Sequence, residues 1–150
     1  MIIYNYHKNG EIVLKKKTKI LIALMGLDIG GAETHAVELI KGLSKKEYII
    51  YVVSNGGIYE NELNADNIKL IYAPLTSKNP VNMLKSFFKI KSIVKKEKID
   101  LIHAHARIPG FICGFVLKLQ KFHSLQLFTV LFQRHFRLNF LPIGDKNQFA

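Results

Sequence analysis

Two short stretches of the chain bring together residue types that can do chemistry. The first is Gly26-Leu27-Asp28-Ile29-Gly30-Gly31-Ala32-Glu33, directly after an apolar run. Glycine at such a junction lets a ligand come close to the backbone and permits positive φ. If a helix starts there, its first N–H groups have no intrahelical partner and attract anions, phosphate above all. Many tight strand-to-helix turns contain glycine and bind nothing, and spacing alone leaves both readings open. The second stretch is Leu101-Ile102-His103-Ala104-His105-Ala106-Arg107. On a strand, His103 and His105 point to one face. Such a pair can be satisfied within the fold, line a cleft, or supply two metal ligands. No third ligand stands nearby in sequence, so no metal is expected. Arg107 is either a solvated residue or a contact for an anion.

Other nucleotide sites require different residues. A nicotinamide site needs G-x-G-x-x-G at the first turn and an acidic residue at the end of the second strand. Here the turn reads GLDIGG and the second strand ends at Ser54-Asn55. No Gly-Lys-Ser/Thr follows the turn, so a phosphate loop of the Walker type is absent too. No cofactor is expected.

The elements that must position these residues can be read from periodicity. From Lys19 to about Lys121, strand-like and helix-like segments alternate, as in a parallel sheet with helical crossovers. Lys19 to Met25 is a short apolar run suited to a strand buried on both faces. Ala36, Val37, Ile40 and Leu43 share one helical face. Tyr48 to Val53 predicts a second strand, stopped by Ser54-Asn55-Gly56-Gly57. A short helix is expected at Tyr59 to Ala65 and a third strand at Ile68 to Tyr72. Val81 to Lys98 predicts an amphipathic helix with Met83, Leu84, Phe87, Phe88, Ile90 and Val94 inward and lysines covering the other face. Leu101 to Ala104 is a fourth strand, and Pro109 suits the first turn of a helix running to about Lys121. Residues 1–18 form an extension, read as an extra edge strand or a frayed arm. From His123 to Ala150 neither period is clean.

Composition bounds what this domain can be. The chain has 150 residues, 49% of them hydrophobic, enough for one domain with a packed core. No apolar run is long enough to span a bilayer. The first seventeen residues put apolar side chains before the charges and lack a small-residue cleavage site, the wrong order for a secretory signal. Cys113 is the only cysteine, which excludes an internal disulfide and fits a reducing cytoplasm. The net charge of +11 comes mostly from clustered lysines. It means either solvated helix faces or affinity for polyanions such as anionic lipid. No nucleic-acid recognition motif accompanies the charge, so nucleic acid is not an expected partner.

With these residues in view, KILIALMGLDIGGAETHAVELIKGL resembles the opening of family 4 glycosyltransferases of the GT-B fold. IVKKEKIDLIHAHARIPGF is similar to that family's fourth-strand segment, in which a basic helix leads into D-h-h-H-x-H (h apolar). The resemblance covers about Lys19 to Lys121. It implies a Rossmann-like parallel sheet flanked by helices, the N-terminal half of a GT-B fold. That half would hold the acceptor, a glycan or lipid-linked molecule, while a nucleotide-sugar donor is bound mainly by the other half. It further implies that Gly30 and Gly31 face the donor diphosphate and that His103, His105 and Arg107 lie near the cleft. The setting would be polysaccharide biosynthesis in the cytoplasm, with peripheral contact at the inner face of the membrane.

After this helix the family continues with a strand and a loop of the form I-P-F-x-x-T-x-H-G-x-F. Here the sequence reads KFHSLQLFTVLF. If each codon begins one base earlier, Phe122, His123 and Ser124 allow I, P and F, and Gln126 and Leu127 each allow T. Phe128, Thr129, Val130, Leu131 and Phe132 allow V, H, G, T and F. A run of A bases around Gln120-Lys121 would be the slippage point. Residues 122–150 are therefore expected to be a frameshifted tail on an incomplete acceptor-side domain (residues 19–121). Half a cleft should not catalyse transfer. The alternative is a non-catalytic basic α/β fragment that binds anionic lipid or other polyanions.

Overall fold

The computed structural model describes residues 4–8, 11–15, 17–46, 48–120 and 126–130. Two strands, β1 (Tyr4–Lys8) and β2 (Glu11–Lys15), pair antiparallel as a separate two-stranded sheet. The N-terminal extension is thus neither a frayed arm nor an edge strand of the main sheet. The sequence between the strands, Asn9-Gly10, is a strong short-range hairpin signal.

The main sheet is parallel throughout. Its strands are β3 (Lys19–Ala23), β4 (Ile49–Ser54), β5 (Ile68–Tyr72), β6 (Leu101–His105) and β7 (Gln126–Val130), in the order β5-β4-β3-β6-β7. Parallel neighbours need long crossovers, which the helices α1 (Gly31–Lys45), α2 (Pro80–Glu97) and α3 (Arg107–Gln120) provide. A 3-10 turn at Ile58–Glu62 stands where a short helix was expected.

Strand β3 is central, and its alternating side chains enter two different cores. Leu21 and Ala23 pack with Phe87, Ile90 and Val94 of α2 and with Ile112, Cys113 and Val116 of α3. Ile20 and Ile22 pack on the opposite face with Ala36, Val37 and Ile40 of α1. Both faces are dry, which explains why the strand reads as an unbroken apolar run and not an alternating one.

Helix α2 begins where Asn79 accepts a hydrogen bond from the Val81 N–H at 2.9 Å and Pro80 occupies the first turn. It ends at Lys98, which adopts a left-handed conformation (φ 54°). Its predicted apolar stripe is corrected in part. Phe87, Ile90 and Val94 are buried, but Leu84 and Phe88 are 55% and 56% exposed. They share the outer face with Lys85 and Lys89, because the groove against the sheet is narrower than the apolar stripe.

Strand β7 is the second difference. The sequence reading gives no element after Lys121, yet Gln126–Val130 pairs in parallel register with Leu101–His105. Leu-Phe-Thr-Val is rich in strand-forming residues, and β6 offers an open ladder beside it. The remaining residues of the expected frameshifted tail lie outside the described residues.

Candidate functional site

The carboxyl ends of the parallel strands gather three loops at one edge. In the turn after β3, the Leu24 N–H donates to the Val53 carbonyl at 2.9 Å and the Leu27 N–H to the Gly56 carbonyl at 2.9 Å. In return the Tyr59 N–H donates to the Leu27 carbonyl at 2.9 Å. The turns after β3 and β4 are therefore laced together by backbone. Gly57 makes this approach possible. It has φ +151°, and a Cβ there would lie 2.7 Å from the Asp28 nitrogen and against the Leu27 carbonyl.

Gly30 is the N-cap residue of α1, with extended backbone and no side-chain cap. The Thr34 N–H donates to its carbonyl at 2.8 Å, so the helix is regular from its first turn. The carboxylate of Glu33 folds back over Gly30, occupying the space that a side chain there would take. Gly31 faces open space, with nothing within 4 Å of where a Cβ would stand. Neither glycine has positive φ. Their value at this turn is access to the backbone, not backbone strain.

Four residues after Gly31, one turn along α1, stands His35. Its ring centroid lies 6.2 Å from that of His105, and the His105 ring lies 4.4 Å from that of His103. Register explains the meeting: Ala23, the last residue of β3, pairs with Ala104 of β6. His103 and His105 point to the α1 side of the sheet, while Ile102 and Ala104 point into the core beneath α2 and α3. His105 is only 3% exposed. Burial, then the neighbouring His103 and His35, holds its pKa down to about 4. Burial, then His35, lowers His103 as well. Both are neutral imidazoles at pH 7. The Nε2 atom of each is buried without a hydrogen-bond partner.

Buried polar atoms are nearly always satisfied, so two orphaned nitrogens side by side at a strand end call for a functional reason. A neutral imidazole both donates and accepts, which suits a hydroxyl-bearing ligand. With a pKa near 4, His105 is a weak base and positions hydroxyls better than it carries protons. Among the described residues no group of three His, Cys, Asp or Glu side chains is arranged to hold a metal ion.

Arg107 is exposed at the first residue of α3, not in a loop. It follows Ala106, a non-glycine residue at φ 72°, which turns the chain sharply after His105. Among the residues singled out from sequence, His103 and His105 are in mutual contact, and Gly30, Gly31 and Arg107 share their edge of the sheet. His35 belongs to the same cluster but has no motif around it in the sequence. It sits next to the apolar positions Ala36 and Val37, and only its place one turn beyond the glycines could have marked it. A shallow depression lined by Glu60, Asn61 and Leu70 opens at the β5 edge, three strands away from β6, and contains none of these residues.

The fold has counterparts in known proteins. A glycosyltransferase from Rickettsia africae ESF-5 is 24% identical, with a TM-score of 0.61 over 77% of this chain and 30% of its own. MurG from Acinetobacter baumannii is 16% identical, with a TM-score of 0.58 over 76% of this chain and 35% of its own. The chain spans about a third of the length of either enzyme. The C-terminal domain of the PF1911 hydrogenase from Pyrococcus furiosus also aligns, at 14% identity and a TM-score of 0.53 over 77% of this chain and 94% of its own. The sheet layout alone therefore serves unrelated chemistries. No curated protein matches the sequence. The fold is that of the N-terminal half of a GT-B glycosyltransferase. The family model for glycosyl transferase 4-like proteins matches residues 22–131, and the chain belongs to that family.

Proposed function

We propose that this chain is the acceptor-side half of an enzyme that moves a sugar from a nucleotide-sugar donor to a glycan or lipid-linked acceptor in cell-surface polysaccharide biosynthesis. The observation that carries this reading is the meeting of His35, His103 and His105 at the carboxyl edge of the sheet, one helical turn from Gly31. In open α/β sheets this edge is where ligands sit. The orphaned Nε2 atoms of His103 and His105 take hydroxyls of the sugar or acceptor. The start of α1 at Gly30 and Gly31 faces the donor diphosphate, whose phosphates displace the Glu33 carboxylate from Gly30. Arg107, exposed beside this edge, contributes positive charge toward the same anion.

Transfer builds negative charge on the departing diphosphate and positive charge on the sugar ring. Stabilising both needs preorganised groups from two sides of a cleft. The residues described here supply one side. The shifted reading of the tail supports an interrupted gene: it restores the family's loop pattern, with a histidine in place of Thr129, a residue that in this chain pairs with Ala104. The reaction takes place in the cytoplasm, at the inner face of the membrane where a lipid-linked acceptor resides.

The test compares two proteins, the 150-residue chain and the product of a gene with the frame restored near Lys121. Each is assayed for nucleoside diphosphate release from a panel of nucleotide-sugars with free and lipid-linked acceptors. Turnover is expected only from the second. Robust turnover by the 150-residue chain overturns the interrupted-gene reading, and silence from both removes the support for transfer.

A further inference from the structure

Among the described residues, no strand lies beyond β5, so one edge of the main sheet is open. Its neighbour shows which backbone groups face outward. The Ile50 N–H donates to the Asn67 carbonyl at 2.8 Å, and the Ala73 N–H donates to the Ser54 carbonyl at 2.6 Å. Asn67 and Ala73 therefore turn toward β4. By alternation Ile68, Leu70 and Tyr72 turn their backbone groups the other way. The Ile68 N–H closes a turn onto the Ala65 carbonyl at 2.9 Å. That leaves the Ile68 carbonyl, and the N–H and carbonyl of both Leu70 and Tyr72, directed off the edge.

The same three residues share one face, the α1 side, where Ile68 packs against the core. Leu70 is 41% exposed and Tyr72 61%. The Tyr72 hydroxyl donates to Asn55 Oδ1 at 3.2 Å, which fixes its ring. The shallow depression lined by Glu60, Leu63 and Leu70 continues this surface. Soluble proteins usually guard such an edge with a proline, a bulge or a charge that points off it. Strand β5 reads Ile-Lys-Leu-Ile-Tyr, and its register with β4 runs unbroken. Its only charge, Lys69, is drawn back over its own sheet. The ammonium lies 5.1 Å from the centre of the Tyr51 ring and donates to the Tyr51 hydroxyl at 3.4 Å.

We propose that β5 is a self-association edge, which pairs antiparallel with β5 of a second copy and joins two sheets into one. The free groups set the register. With Leu70 on the two-fold axis, the two Leu70 residues exchange N–H and carbonyl, and each Tyr72 N–H meets the Ile68 carbonyl opposite. The Ile68 N–H, already held in its turn, is not needed. On the α1 side Leu70 meets Leu70, and Ile68 meets Tyr72, an aromatic and β-branched pair on each side of the axis. A two-fold contact needs a patch that complements itself, and this edge does so in backbone and side chain alike. The lysine clusters of α2 lie elsewhere, while Glu60, Glu62 and Asp66 flank β5. Two copies therefore meet here without setting one lysine cluster against another. The joined sheets point their carboxyl ends in opposite directions, so each histidine site stays open. The pairing does not rest on the transfer reading.

The test uses the 150-residue protein. Sedimentation is expected to show a monomer at low micromolar concentration and a dimer as concentration rises toward millimolar. Hydrogen exchange locates the contact without any substitution. The Leu70 and Tyr72 amides should exchange fast in the monomer and slow by about tenfold or more in the dimer. Leu70→Lys sets two ammonium groups face to face and should weaken dimerisation about tenfold or more. Leu84→Lys, likewise at an exposed leucine but on α2, should leave it unchanged. Circular dichroism melts establish that both variants remain folded. A protein that stays monomeric at every concentration overturns the inference, as does a dimer indifferent to Leu70→Lys. So does protection of the two amides that does not change with concentration. A dimer abolished by Leu84→Lys assigns the contact to the helices and overturns it too.

Discussion

The two ends of the parallel sheet treat their polar groups in opposite ways. Toward the amino ends of the strands, the groups are paired with one another. The Lys19 ammonium donates to the Glu97 carbonyl at 2.7 Å, the Lys19 N–H donates to Asp100 at 2.9 Å, and the Tyr51 hydroxyl donates to Glu97 at 2.7 Å. Burial, then the bond to Glu97, pushes the Tyr51 phenol up to about 12. Toward the carboxyl ends, His103 and His105 keep buried nitrogens without partners. One strand, β6, shows the division within five residues: Ile102 and Ala104 complete the core while His103 and His105 do not. Between these two edges, the amino-end groups are satisfied by the fold, while the two imidazoles are left open; a third open group, the Ser86 hydroxyl, lies apart from both on α2.

This contrast can be broken by substitution. The largest effect is expected at Gly57, which belongs to the carboxyl edge but serves the fold. Gly57→Ala should cost about 3 kcal/mol, because it strains the backbone at φ +151° and drives a methyl group into the Leu27–Asp28 peptide. A denaturant titration measures it, and a loss below about 1 kcal/mol would mean the two turns can separate at little cost.

Next comes pH. The folded pKa of His105 is depressed to about 4, below the ordinary value of 6.5. Its contribution is therefore complete above pH 6.5 and is lost as pH falls toward about 4, where the unfolded chain binds a proton that the folded chain refuses. About 2 kcal/mol of stability should go across this window, and His103 acts in the same direction. His105→Leu should flatten most of the slope while leaving stability at pH 7 unchanged or higher, since it removes an orphaned polar atom. A steep slope persisting in the variant would place the titration elsewhere.

At the amino edge the same kind of deletion should be harmful. Tyr51→Phe is expected to lower stability by about 1 kcal/mol through loss of the bond to Glu97. If it proves neutral, that end is no better satisfied than the other and the contrast fails. The smallest effect belongs to Gly31→Ala, which should change stability by less than about 0.5 kcal/mol because the space there is open. In the frame-restored protein the same substitution should weaken donor binding, measured by calorimetry. Unaltered affinity would remove Gly31 from the site.

Much of this architecture is legible in the residues. The run from Ile20 to Ala23 can only be a strand covered on both faces, and Asn79-Pro80 marks the start of α2 through chemistry that is local. Leu84 and Phe88 were misplaced because helical period gives the direction of an apolar stripe but not the width of the groove that receives it. The antiparallel pairing of β1 with β2 has its local sequence signal in Asn9-Gly10. Strand β7 lacked a boundary signal, and its formation depends on a partner that lies twenty-five residues earlier in the chain. At the site, spacing put His103 and His105 on one face. The approach of His35 could not be seen, since it depends on the pairing of β3 with β6.

Cys113 lies in the middle of α3, fully buried against the sheet, and burial pushes its thiol up to about 12. It is the only thiol in the chain. A reagent that attacks thiolates can therefore reach it only in the moments when α3 lifts away from the strands. The rate of labelling reads out how often that happens, much as amide exchange reads the opening of a helix. This single sulfur becomes a clock for the opening of α3, and it shows whether a ligand at the carboxyl edge, where the helix begins at Arg107, quiets or loosens the layer beneath.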